Sequence, residues 1–78
     1  MYTVYIIHST KLDRHYCGMT KHVRKRLKQH RSGQTRSVPA SDDWALAWSA
    51  VVESAADARI LEKRIKARGA KRFLADQQ

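Results

Sequence analysis

The chain has 78 residues and a formal net charge of +9. A chain this short makes one domain, buries only about 60% of its unfolded surface and cannot wall off a deep pocket. A single cysteine excludes an internal disulfide, and four histidines scattered at positions 8, 15, 22 and 30 offer no zinc framework.

Tyr2 to His8 is β-branched and aromatic and too short for a useful helix, so it reads as a strand. Ser9 to Asp13 makes a turn, and Arg14 to Met19 a second, more polar strand; together they form an antiparallel hairpin. Thr20 is placed to N-cap a helix and Gly33 to end it, with Val23 and Leu27 as its apolar stripe. Gln34 to Asp43 is a loop containing Pro39, and Trp44 to Glu53 a third strand. Ser54 with Asp57 resembles a capping box, and Ala58, Leu61 and Ile65 line one face of a second helix that Gly69 ends. Ala70 to Ala75 makes a short last helix anchored by Phe73 and Leu74. The order β-β-α-β-α-α predicts an α+β domain over residues 1–78, with helices packed on a three-stranded sheet.

The charge is lopsided. Residues 1–39 hold nine Lys or Arg against one acid, Asp13, whereas residues 40–78 hold seven against six. Lys21 to Arg31 alone carries six cations and no acid. Such a field concentrates polyanions, so nucleic acid is the leading partner, an anionic membrane surface the alternative, and plain solvating charge the competing reading. The longest nearly apolar run, Trp44 to Val52, is far short of the roughly 20 residues that cross a bilayer. The N-terminal MYTVYIIHS has no basic region ahead of its apolar run, and the chain reads as a cytosolic protein.

Three features bear on chemistry. Tyr5 and Tyr16 share a sheet face if opposed residues of the hairpin sum to an odd number such as 23, for a turn centred between Lys11 and Leu12; the plain alternative is two core aromatics. Arg26 and His30 lie one turn apart on one helix face and border the Val23–Leu27 stripe, where an Arg can reach a phosphate. The alternative is a surface Arg and a half-buried helix-end His. Glu62 lies near the core face of the second helix and is a plausible anchor for Mg²⁺; an ordinary pair with Lys66 is the alternative.

These residues together resemble the GIY-YIG nuclease superfamily, most closely its small stand-alone bacterial members. Thr3-Val4-Tyr5 stands for the GIY strand and Tyr16-Cys17-Gly18 for the YIG strand. The tyrosines are eleven apart, Arg26 falls ten after Tyr16, and Glu62 lies in the later helix, all at family spacing. His30 falls where members place a His or Tyr. The resemblance runs from Tyr2 to about Leu74. Thr3 stands where the family name has Gly, and Cys17 where it has Ile; Met19 stands where some members carry a Lys that helps activate the nucleophile. The chain has no Asn, a residue that some members carry near the end of their cores.

The resemblance implies metal-dependent phosphodiester hydrolysis. Glu62 would hold one Mg²⁺ or Mn²⁺ and Arg26 would stabilise the transition state. Tyr5 or Tyr16 would position or deprotonate the attacking water, and His30 would accept a proton or hold the phosphate. Gly18 would permit close approach of a phosphate to the backbone, and Lys21, Lys25, Lys28 and Arg31 would contact the nucleic acid, with DNA the expected form. Two rivals keep the charge without the chemistry: a non-catalytic nucleic-acid-binding module of the same fold, and an adaptor that meets an acidic protein. The chain has no room for a sequence-reading domain. Branched, nicked or damaged DNA and RNA therefore all stay open as substrates, and so does a partner protein that supplies specificity.

Overall fold

The computed structural model describes residues 1–35 and 38–77. Strand β1 (Tyr2–Ser9) pairs antiparallel with β2 (Arg14–Thr20) on one side and with β3 (Ala45–Val52) on the other, giving the sheet order β2-β1-β3. The central position explains the composition of β1. Side chains alternate faces along a strand, yet Val4, Tyr5, Ile6 and Ile7 are all buried. Both faces of the sheet must therefore be covered.

One face carries Val4, Ile6 and Cys17, packed against Ala58 and Ile65 of α2 (Ala55–Arg68), with Phe73 and Leu74 of α3 (Ala70–Asp76) beside them. Phe73 meets Trp48 edge-on, with ring centroids 4.9 Å apart. The other face carries Tyr5 and Ile7, covered by Val38 and Trp44 and flanked by Val23 and Leu27 of α1 (Val23–Ser32). The element order is β-β-α-β-α-α, the α+β arrangement expected from the sequence.

The hairpin pairs Thr3 with Thr20 and Ile7 with Tyr16, so opposed numbers sum to 23 and Tyr5 and Tyr16 lie on one face. The turn closes through the Asp13 amide, which donates to the Thr10 carbonyl at 3.2 Å, with Asp13 itself at φ 50°. On the other side of β1 the pairing with β3 shifts between Ile6 and Ile7, so that Ile6 faces Trp48 and Ile7 faces Leu46. That irregularity was not readable from the alternation of residues.

A polar clamp ties the hairpin turn to the start of β3. The Asp43 carboxylate accepts hydrogen bonds from Ser9 Oγ at 2.6 Å, from the Lys11 amide at 2.8 Å and from the Ser41 hydroxyl. These donors, Ser41 first, hold the Asp43 carboxyl well below the usual carboxylate range. Ser9 is buried, and its oxygen also accepts from the Leu12 amide at 3.1 Å.

Helix boundaries differ in detail from the sequence reading. α1 begins at Val23 with His22 as its N-cap, because Thr20 is still paired in β2; Thr20 Oγ1 instead accepts the His22 amide at 3.1 Å. Gly33 ends α1 at φ 77°, a conformation open to glycine, and the Gln34 amide returns to the Gln29 carbonyl at 2.9 Å. Ser54 caps α2 by accepting the Asp57 amide at 3.1 Å. The expected loop Gln34–Asp43 includes residues 36 and 37, which lie outside the described residues. Among the described residues no helix is long and apolar enough to cross a membrane.

Gly18 decides how the hairpin packs. A Cβ built there would lie 2.6 Å from Tyr5 Oη and 2.8 Å from Tyr5 Cζ. The Tyr5 ring thus occupies the volume a side chain would need, and the ring is buried and cannot swing away. We predict that Gly18→Ala destabilises the fold by about 1–3 kcal/mol, the usual cost of overpacking. In a domain of this size that lowers Tm by several degrees at least. A thermal melt with Tm unchanged would show that Tyr5 does not lie across Gly18.

Candidate active site

His30 lies at the middle of the site. It sits in the last turn of α1, where the 3.6-residue period places it one turn beyond Arg26. It is 1% exposed, far more buried than a helix-end histidine needs to be. Both ring nitrogens have partners. Nε2 is hydrogen-bonded to Tyr5 Oη at 2.9 Å and Nδ1 to Thr35 Oγ1 at 2.9 Å. Tyr16 meets the imidazole edge-on, with ring centroids 5.4 Å apart. Burial, with Arg26 adding to it, holds the His30 imidazole below its usual range and so favours its neutral state.

The two tyrosines share a face but not an environment. Tyr5 is on the central strand and 1% exposed. Burial pushes its phenol well above the ordinary tyrosine range; Tyr16 pushes the same way and Arg26 opposes both. Tyr16 is on edge strand β2 and only half-buried, so its ring is the more accessible of the two. Cys17 points to the opposite face, into the α2 core. Burial and Glu62 push its thiol up to about 11, which leaves it an inert packing residue.

Arg26 is half-buried and lines a cleft with Thr20, His22, Lys25 and Gln29. The cleft lies at the N-terminus of α1, where His22 supplies no side-chain cap and the first turn has no acid. Free backbone amides, the helix dipole and the cations there all favour an anion such as a phosphate.

Glu62 approaches from α2, which packs on β2 and β1. Its side chain is 22% exposed, and Oε1 accepts from Lys66 Nζ at 3.3 Å. The Lys66 ammonium in turn lies 6.0 Å from the centroid of the Tyr16 ring, which brings the α2 pair to the tyrosine edge. The negative charge of Glu62 acts on both Tyr5 and Cys17. Among the described residues no group of three or more His, Cys, Asp or Glu comes together, so a closed metal cage does not fit. A single half-buried carboxylate does fit a hard, hydrated ion such as Mg²⁺, which keeps waters and takes one or two carboxylates plus substrate phosphate.

The expected nucleic-acid contacts are distributed unevenly. Lys25 and Lys28 are exposed on α1 and line an open groove with Gln29, Ser32 and Gln34. Lys21 is exposed in the turn before α1, with its ammonium 5.3 Å from the Tyr2 ring centroid. Arg31 donates from Nε to the Trp44 carbonyl at 2.8 Å and so also pins the loop. Gly18 is buried, and the space beside it is taken by Tyr5 rather than left open to a phosphate. Thr35 was not singled out in the sequence, and no spacing rule links a residue beyond a helix C-cap to that helix's last histidine.

A family model described as the GIY-YIG catalytic domain matches residues 1–73. No curated protein matches the chain by sequence. Among solved structures, the solution NMR structure of the UPF0213 protein BH0048 from Bacillus halodurans is 24% identical, with a TM-score of 0.59. The match covers 100% of this chain and 86% of that one, and it shows a shared fold. With the family's domain running from residue 1 to residue 73, the chain belongs to the GIY-YIG family, whose catalytic domain is of nuclease type.

Proposed function

We propose that residues 1–78 act as one divalent-metal-dependent endonuclease domain that hydrolyses phosphodiester bonds in nucleic acid, with DNA as the substrate. The observation that carries this reading is the cluster of Tyr5, Tyr16 and His30 on one sheet face, with Arg26 one turn from His30 on α1 and Glu62 linked to the Tyr16 ring through Lys66. Each has a bland explanation alone. Their convergence beside an acid-free basic helix does not.

Glu62 would hold the ion, Mg²⁺ or Mn²⁺, with the remaining coordination left to water and the substrate. When bound, such an ion supplies Lewis-acid stabilisation of the phosphoryl and leaving-group oxygens. Arg26, which lines the cleft, binds the scissile phosphate and offsets the charge that develops in the transition state. Tyr16 orients the attacking water, because it is the accessible phenol. Tyr5 is ill-suited to deprotonating water, since burial holds its proton and His30 already occupies its oxygen. Its part is to fix His30, and through His30 the ring of Tyr16. Lys21, Lys25, Lys28 and, in part, Arg31 contact flanking phosphates. The charge they add to α1 is then neutralised by the nucleic acid.

Two substitutions test the assignments. Glu62→Gln keeps the side chain's shape and loses the charge, so cleavage at saturating Mg²⁺ should vanish while the circular dichroism spectrum and DNA affinity persist. Parental cleavage by this variant would reduce Glu62 to a partner for Lys66. Arg26→Ala should lower the single-turnover rate about 10²-fold or more at saturating enzyme. Lys28→Ala, exposed, outside the Arg26 cleft and about 200° around the helix, should weaken binding slightly and leave that rate nearly unchanged. Equal losses in the two variants would make Arg26 ordinary surface charge.

A further inference from the structure

We propose that Thr35 is a positioning residue of the site: its hydroxyl accepts the Nδ1 proton of His30 and so supports the tautomer whose Nε2 is free to accept the phenol proton of Tyr5. The geometry is a chain of three groups, Tyr5 Oη to His30 Nε2 at 2.9 Å and His30 Nδ1 to Thr35 Oγ1 at 2.9 Å. Heavy-atom distances alone allow the protons to run either way along this chain. Burial selects between the two directions.

A neutral imidazole has one N–H donor and one bare acceptor nitrogen. With the proton on Nδ1, each proton has a place. The Tyr5 O–H donates to Nε2, Nδ1–H donates to Thr35 Oγ1, and the Thr35 O–H turns to water, since Thr35 is only half-buried. With the proton on Nε2, the imidazole donates to Tyr5 Oη and the Thr35 O–H donates to Nδ1. The Tyr5 hydroxyl proton is then orphaned. Tyr5 is 1% exposed, and among the described residues its oxygen has no hydrogen-bond partner other than His30. A buried donor without an acceptor is the costlier state, so the Nδ1–H form wins. The neutral state of His30 agrees with this, because the imidazolium would offer Nε2–H and leave the same phenol proton unpaired.

Among the described residues, the charged and titratable groups that face His30 are Tyr5 from β1, Tyr16 from β2 and Arg26 from α1. None of them presents an acceptor to Nδ1. The Tyr5 phenol thus selects the Nδ1–H tautomer, and among the described residues the Thr35 hydroxyl is the side chain that receives the Nδ1 proton and so holds the ring in that state. Thr35 lies just beyond Gly33, whose left-handed turn brings the chain back towards the helix end. The consequence for catalysis rests on the nuclease reading, whereas the tautomer itself does not.

The test is a long-range ¹⁵N–¹H correlation NMR spectrum of the His30 side chain at pH 7.5, on the whole chain and without metal or DNA. We expect a protonated Nδ1 and a bare Nε2 in the parent protein. A protonated Nε2 in the parent would overturn the proposal outright. Thr35→Val, which keeps the shape and removes the hydroxyl, should lose the single-tautomer signature, and Thr35→Ser should restore it. Thr35→Val retaining the parent's signature would also overturn the proposal. In cleavage assays Thr35→Val should lower the turnover rate by up to about tenfold, the scale of one net hydrogen bond, and Thr35→Ser should recover it. Equal rates for the parent and Thr35→Val would remove Thr35 from the catalytic machinery. A parent protein with the Nδ1–H signature and no cleavage of any substrate would fault the nuclease reading and leave the tautomer assignment standing.

Discussion

The site depends on one close contact, the Tyr5 ring laid across Gly18. Tyr5 and Gly18 are directly opposed in the β1–β2 register, and only a residue without Cβ leaves room for the ring to lie flat against the neighbouring strand. Laid flat, the phenol reaches His30 instead of projecting into solvent. His30 in turn is drawn to 1% exposure and becomes the surface on which the Tyr16 ring rests edge-on. α1 is thereby held against the sheet at its C-terminal end, and Arg26, one turn earlier, is aimed along the same face. A vacancy of one methyl group on β2 so fixes the position of a helix.

That anchorage matters because α1 is poorly suited to stand alone. Arg24 and Lys28 are four apart, and Lys28 is three from both Lys25 and Arg31, with no acid between them. Each like-charge pair costs about 0.2–0.5 kcal/mol, roughly 1 kcal/mol for the three. Against this stand Val23 and Leu27 packed beside Tyr5 and Trp44, with side-chain burial worth about 1.5–3 kcal/mol when complete. Packing therefore wins, and the Arg31 contact to the Trp44 carbonyl and the Gly33 cap add to it. The fold can carry a helix charged far beyond what its own stability favours, and the surplus field remains available to a polyanion.

The strand and helix order was legible because the periods are clean. Tyr2 to His8 is β-rich, and the Val23–Leu27 and Ala58–Leu61–Ile65 spacings are helical. The hairpin was legible but its register only conditionally: closure at Ser9–Arg14, as the structure has it, gives the sum of 23 that puts Tyr5 and Tyr16 on one face, whereas closure at His8–Arg14 would part them. The residues that escaped the sequence reading are those whose partners come from distant elements. The clamp ties Ser9 and Lys11 to Ser41 and Asp43 across 32 to 34 positions, and no local rule reaches that far. Thr35 lies beyond a helix end and shares no period with His30. Gly18 was legible as a point of close approach, but the occupant of the space proved to be the protein's own Tyr5.

The central claim is that a phosphodiester substrate meets Arg26, Tyr16 and Glu62 at the β2 edge and is hydrolysed there in the presence of a divalent ion. Its most direct test uses the parent chain in two arms, nicking of a supercoiled plasmid with Mg²⁺ or Mn²⁺ and binding of a short labelled duplex or branched DNA in EDTA. The account predicts binding in EDTA at low salt and nicking only when the ion is present. Binding without nicking under any divalent ion would contradict it and leave a nucleic-acid-binding module in its place. The absence of both would remove nucleic acid from the account altogether.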